Sequence, residues 1–318
     1  MKLRNILYLL MLSCLIYFSL FSFLIYSPIS IDSIKEYFEK KEKYLKGIKG
    51  SKIVILAGSN GRFSHRCETI EDELDLSCVN MSISAGISLN YQINKISKYL
   101  NSGDIVYLPL EYGKLSYNKY KVMSGTEIPY IIKYDLNYLL RMNLEELSHA
   151  IFYFDFKYLI SSIGEMIFTS IGMEQRFRLD EMTLQGDDRN HTLEAGKQFK
   201  EFIMSVDWTP PDIDSFNSKS YGANLIYDFM NRAKEKGIIV VGGLPTTFND
   251  KPIPNELIIK MVDFYKGNNH DFILLDNKSQ YPREYFYNTS YHLSEEYQII
   301  HSKEISQYLQ NIINSNKY

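Results

Sequence analysis

The sequence predicts an α/β fold built on a parallel sheet covered on both faces. Apolar runs of strand length recur at residues 52–57, 78–83, 105–110, 238–244 and 272–275. Helical patterns such as 90–100 and 221–236 lie between them, the second stopped by Gly237 as a C-cap. Strands that are apolar along their whole length, alternating with helices of this size, belong to sheets buried on both sides, an α/β sandwich.

The N-terminus adds a membrane element. From residue 6 to residue 27 the chain has 22 positions without a charge, preceded by Lys2 and Arg4, and about 20 apolar residues cross a bilayer. The run is longer than the apolar core of a cleaved signal peptide, and no small-x-small cleavage site follows it. Residues 1–28 are therefore expected to be an uncleaved signal anchor. Lys35, Lys40, Lys41 and Lys43 on the far side dilute the positive-inside asymmetry; export of the globular part is the expected orientation. Residues 29–50 alternate Lys and Glu with Tyr and Leu and read as a solvated juxtamembrane helix.

Residues 51–318 form the predicted α/β domain. The strand-helix rhythm breaks at about 115–214, where aromatic amphipathic helices around 136–171 and a polar stretch at 180–191 predict a helical insert, read as a lid, with the membrane surface as the alternative seat for its apolar faces. The terminal pattern at 295–313 is a closing helix.

Composition excludes several classes. With 318 residues, 45% hydrophobic and 23% charged, the chain has a full-sized core. A net charge of −3 without any Lys/Arg block argues against a nucleic-acid partner. The 26 Tyr and 18 Phe read as composition bias rather than as a sugar-stacking surface. Of three cysteines one, Cys14, lies in the apolar run; Cys67 and Cys78 would pair in an exported domain and stay small buried thiols in a cytosolic one. No C-x-x-C or H-E-x-x-H pattern occurs, so no metal and no cofactor is expected.

The stretch Ala57-Gly58-Ser59-Asn60 ends the first strand in a small-residue turn that presents one hydroxyl beside the amides of a helix start. A serine nucleophile needs a histidine base. Of the six histidines, His65 sits on the helix after Ser59, where reaching back is awkward. His149 falls among apolar residues of the insert, His191 in the polar run Asp187-Asp188-Arg189-Asn190-His191 read as a solvated loop, His270 at the opposite end of the sheet and His301 inside the last helix. His292, in a loop between the last strand and the closing helix, can reach over the first strand. Position alone leaves it equally a base or a residue that merely caps or packs.

Three segments together resemble the SGNH/GDSL hydrolase superfamily: Gly58-Ser59-Asn60, Asn80-Met81-Ser82-Ile83-Ser84-Ala85-Gly86 and Tyr291-His292-Leu293-Ser294. The chain is similar, more narrowly, to its membrane-anchored branch found with polysaccharide O-acetylation, including alginate O-acetylase-like and D-alanyl-transfer proteins. The resemblance covers about 53–110 and 237–313. It implies a three-layer, flavodoxin-like α/β/α sandwich, Ser59 as nucleophile, His292 as base, and the amides of Ser59 and Gly86 as oxyanion hole. Asn60 and Glu111 are the candidate substrate-binding residues. The family's aspartate, three residues before the histidine, is here Thr289; Asn288, one further back, stands where some anchored members have the acid. The third-block asparagine is replaced in Leu110-Glu111-Tyr112-Gly113, and losing such a donor costs about 10²–10³ in rate. Glu111 is also open to reading as the displaced acid. The implied function is serine-dependent acyl transfer, as an O-acetyl esterase or O-acetyltransferase, on a cell-surface glycan, with an acyl-donor membrane protein as a partner. The alternative is a non-catalytic glycan-binding component of a modification or export complex, favoured by the two departures.

Overall fold

The computed structural model describes residues 3–26, 29–117, 119–152, 156–171 and 179–315. Residues 1–2 and 27–28 of the expected anchor, and 118, 153–155 and 172–178 of the expected insert, lie outside them. The chain falls into two compact units, Met1–Glu36 with Tyr120–Arg178, and Tyr37–Lys119 with Leu179–Tyr318.

The larger unit holds a five-stranded sheet made of β1 (Ile53–Ile55), β2 (Cys78–Asn80), β3 (Ile105–Leu108), β4 (Ile239–Gly243) and β6 (Asp271–Ile273). The order is β2-β1-β3-β4-β6, with every pair parallel. The chain therefore steps outward from β1 in one direction and from β3 in the other. Ligands of open parallel sheets gather at the carboxyl ends of the strands beside such a reversal. All five expected strands form, but the ladders end early, because residues 56–57, 81–83 and 109–110 leave them to build loops at that end. A further pair, β5 (Thr247–Phe248) with β7 (Gln280–Tyr281), is parallel too and only two residues long; such short strands leave no period in a sequence.

Burial follows the alternation of the strands. Ile53, Ile55, Cys78, Ile105, Tyr107, Val241 and Ile273 share a core with Cys67 and Ile70 of the helix Cys67–Leu74 and with Ile305 and Leu309 of the closing helix Glu295–Ser315. The other strand positions, Val54, Val79, Val106 and Val240, are buried as well. A disulfide joins Cys67, the first residue of its helix, to Cys78, the first of β2. Below the ladder, Lys52 Nζ lies 2.6 Å from Asp104 Oδ2, and Asp104 also accepts the Lys52 and Asn101 amides.

Two sequence expectations are corrected. The juxtamembrane helix, α2 (Ile29–Gly47) after α1 (Leu3–Tyr26), is not solvated: Ile31, Ile34, Phe38 and Leu45 are buried, and so is Lys41. The spacing of these apolar residues is a helical stripe that the dense Lys/Glu pattern obscures. The insert is also shorter than 115–214, since residues from Leu179 onward belong to the larger unit. The smaller unit contains α1 and, among others, the helices Ile128–Tyr134, Leu144–Phe152 and Phe156–Ser170. Helix α1 contains the apolar stretch Leu3–Phe23, long and apolar enough to cross a membrane and exposed over most of its length.

Among the buried histidines of the larger unit are His65, His191 and His301, and burial pushes the pKa of each below the ordinary value, His301 to about 3. His65 stands against His301, which disfavours its charged form further. In the unfolded chain these rings take a proton near pH 6.5. Their neutral burial therefore contributes stability fully present above about pH 6.5 and lost as the pH falls, each by up to ~1.4 kcal/mol per pH unit. Asp187, raised to about 6 by burial, protonates in the fold first and offsets one of them. The urea midpoint of the protein in detergent should accordingly fall between pH 7.5 and pH 5.5; an unchanged midpoint contradicts this account.

Candidate active site

Ser59 opens the helix α3 (Ser59–Ser64) directly after β1 and is half-buried. Two glycines make its turn possible. A Cβ on Gly58 would come within 2.3 Å of Glu111 Oε1, and one on Gly61 within 2.1 Å of Ser82 Oγ. The first lets the segment after β3 approach the turn, and the second lets in the segment after β2. Across these approaches Glu111 accepts the Gly58 amide (3.1 Å) and the Asn60 amide (3.3 Å), while Ser82 Oγ accepts the Ala57 amide (3.0 Å).

His292 comes from a tight loop stapled by the Tyr287 amide on the His292 carbonyl (2.8 Å) and the Ser294 amide on the Tyr285 carbonyl (2.8 Å). Its Nε2 lies 2.9 Å from Ser59 Oγ, and its Nδ1 lies 2.7 Å from Asn288 Oδ1. An amide oxygen only accepts, so Nδ1 carries the hydrogen and Nε2 keeps its lone pair for the Ser59 proton. Asn288 thus sets the tautomer a general base requires. The ring of Phe63, one turn along α3 from Ser59, stacks on the imidazole at 4.1 Å between centroids and 12° between planes. Tyr287 lies nearly parallel to Phe63 at 6.2 Å, with His191 edge-on to it at 5.0 Å.

The loop is fixed to the turn from below. The carbonyl of Tyr291 lies 3.0 Å from both the Ser64 and the Thr246 hydroxyls, and Thr246 Oγ1 donates to Asn60 Oδ1 at 2.8 Å. Asn60 Nδ2 donates to the Pro109 carbonyl at 2.9 Å. Asn60 has no exposed surface; its amide ties β1, β3 and the residues after β4 together and does not face a ligand, against the expected substrate contact. Glu111 is likewise a brace on the turn that carries Ser59, both of its oxygens taking backbone amides. It is not the acid behind His292, since Nδ1 faces Asn288. Thr289, three residues before His292, accepts the Tyr291 amide with its hydroxyl (3.2 Å) and shapes the loop. Gly86 lies half-exposed in the turn that follows β2, with the next amide, Ile87, bonded to the Ser84 carbonyl at 3.3 Å.

In the polar run read as a solvated loop Asp187, Asp188 and His191 are buried, while Arg189 and Asn190 are exposed. Arg62 forms a two-pronged pair with Asp188, at 3.1 and 2.5 Å, donates to the Ile83 carbonyl at 3.1 Å, and lies 4.2 Å over the Tyr37 ring. Asp187 accepts the Cys67 amide (2.8 Å) and Asn80 Nδ2 (2.8 Å). Lys41 is enclosed with its Nζ 2.5 Å from the Ser82 carbonyl; burial and the Arg62 charge hold its pKa well below the usual lysine range. The run looks solvated because its two carboxylates meet partners distant in sequence. Phe63, too, escapes a reading by motif; its one signal is an aromatic residue a helical turn beyond the serine. His149 stacks on Tyr120 in the smaller unit. Tyr291, half-buried, has its pKa pushed up to about 12 by desolvation and by the Glu111 carboxylate, so it stays a neutral phenol.

No family model matches the chain, and no curated protein matches it. Among the described residues no group of three or more His, Cys, Asp and Glu is placed to hold a metal ion.

Removing one partner of a buried ion pair strands the other, at a cost of about 3–5 kcal/mol. Arg62→Ala should destabilise the protein by that order in urea unfolding. The double change Arg62→Met with Asp188→Leu should cost markedly less. Equal losses for the two would contradict the pairing.

Proposed function

We propose that the protein is a serine-dependent acyltransferase or esterase of the SGNH type, anchored in a membrane by α1 and acting on O-acyl groups of a cell-surface glycan. The observation that carries the reading is the continuous relay from Ser59 Oγ through His292 to Asn288, at 2.9 and 2.7 Å. The order of the parallel strands and their burial on both faces support a three-layer, flavodoxin-like sandwich, with Ser59 at the strand reversal. The Cys67–Cys78 disulfide supports export, because such bonds persist in oxidising compartments.

In the first half-reaction Ser59 Oγ attacks the acyl carbonyl carbon while its proton passes to His292 Nε2. The resemblance assigns the oxyanion to the amides of Ser59 and Gly86; those of Gly58 and Asn60 are taken by Glu111. Collapse expels the alcohol, which leaves with the proton from Nε2, and the acyl group stays on Ser59. Water or a sugar hydroxyl then gives its proton to Nε2 and attacks the ester, releasing acid or acylated glycan and restoring Ser59. Asn288 orients the imidazolium without neutralising it. Glu111 adds negative charge beside the turn where the family carries a donor, an arrangement that favours the binding-only alternative and, in an enzyme, a modest rate.

The test is hydrolysis of p-nitrophenyl acetate by the full chain in detergent. Ser59→Ala and His292→Ala should each lose the activity. Equal rates in all three proteins would overturn the catalytic reading and leave glycan binding. Asn288→Asp replaces a neutral hydrogen bond to the imidazolium with a charge-assisted one, a gain of roughly 1–2 kcal/mol, so its kcat should rise about tenfold.

A further inference from the structure

The helix Phe156–Ser170 has two apolar sides. Leu159 is buried, while Ile160, Ile163, Ile167 and Ile171 are 57%, 41%, 56% and 65% exposed. Their spacing puts all four on one stripe, and Ile171 continues the helical bonding through its amide on the Ile167 carbonyl (3.2 Å). A bare isoleucine stripe is out of place against water. Its surroundings within the unit say what covers it.

The preceding helix, Leu144–Phe152, is fastened to the side of α1. The Tyr17 hydroxyl donates to the Ile151 carbonyl at 2.5 Å, and the Tyr17 ring stacks on Phe152 at 6.4 Å. Tyr17 lies inside the apolar stretch Leu3–Phe23, six residues from its end, or about 9 Å at about 1.5 Å per residue. A bilayer that encloses α1 therefore reaches Phe152, which is 66% exposed. Four Cα steps, at most about 15 Å, separate Phe152 from Phe156, so the striped helix starts within reach of the same hydrocarbon.

We propose that the stripe Ile160-Ile163-Ile167-Ile171 is a second membrane-contacting element, seated in the acyl boundary of the bilayer that α1 enters. The occupant is lipid, because the stripe belongs to the compact unit that contains α1 and its helix starts within reach of the hydrocarbon around Phe152. Helices of this kind lie in the interface plane with the apolar side about 5–10 Å below the headgroups. The inference rests on α1 being a membrane span.

The full chain carrying Cys14→Ser, which removes the exposed free thiol, would be given single probes by Ile163→Cys or Ile167→Cys. Leu12→Cys on α1 and Lys303→Cys on the closing helix serve as references. The proteins are reconstituted in phosphatidylcholine vesicles and labelled with an environment-sensitive fluorophore, and lipids brominated along the acyl chain supply the quencher. Probes at 163 and 167 should be quenched, at a shallower depth than the one at 12, with the one at 303 unquenched. Quenching at 12 alone would overturn the proposal while keeping the anchor. No quenching at 12 would overturn both. Loss of quenching at 163 together with disulfide crosslinking between copies would assign the stripe to a second copy of the chain instead.

Discussion

The guanidinium of Arg62 holds together segments that are far apart in sequence. It sits one helical turn from Ser59, and its donors reach Asp188 in the segment after the insert and the Ile83 carbonyl after β2, while its plane lies over Tyr37 of α2. A buried cation is tolerated only where its charge and its N–H groups are met, so the three contacts must form together. Lys41, one turn along α2 from Tyr37, makes a parallel demand with its Nζ, which donates to the Ser82 carbonyl. Helix α2 is therefore part of the scaffold of the site, and the Lys/Glu alternation on its surface hides that role.

Above this base the site depends on two backbone approaches and one amide. Gly58 and Gly61 let Glu111 and Ser82 reach the turn, which fixes the direction of the Ser59 hydroxyl. Asn288 then fixes the imidazole by a bond that only one tautomer satisfies. An aspartate would set the same tautomer and also stabilise the charge that arrives with the proton. With an amide there, orientation is retained and charge stabilisation is lost. Glu111 works in the same sense: it stiffens the turn by taking two amides and leaves fewer donors for an oxyanion.

The strands were legible in the sequence because each is a short, wholly apolar run ending in small or polar residues. Ser59 was legible for the same reason, as the residue where an apolar run stops. His292 emerged by placing each histidine on an element and asking which could lie at the carboxyl end of the sheet. What stayed hidden depends on pairing across sequence. Asp187 and Asp188 look like solvent-facing charge until Cys67, Asn80 and Arg62 are brought to them, and Asn60 looks like a ligand-binding amide until Thr246 and Pro109 meet its two ends. The burial of α2 shows the opposite error: its apolar stripe is visible in the spacing of Ile31, Ile34, Phe38 and Leu45, and the charges between them outweigh it in a reading by composition.

The claim that matters most is that Ser59 is a nucleophile activated by His292, and covalent trapping tests it without assuming a substrate. The full chain in detergent, treated with a fluorophosphonate, should gain one phosphonyl group located by peptide mass spectrometry on Ser59, and the His292→Ala protein should react far more slowly. Labelling of a different residue, or labelling of Ser59 at the same rate without His292, would contradict it.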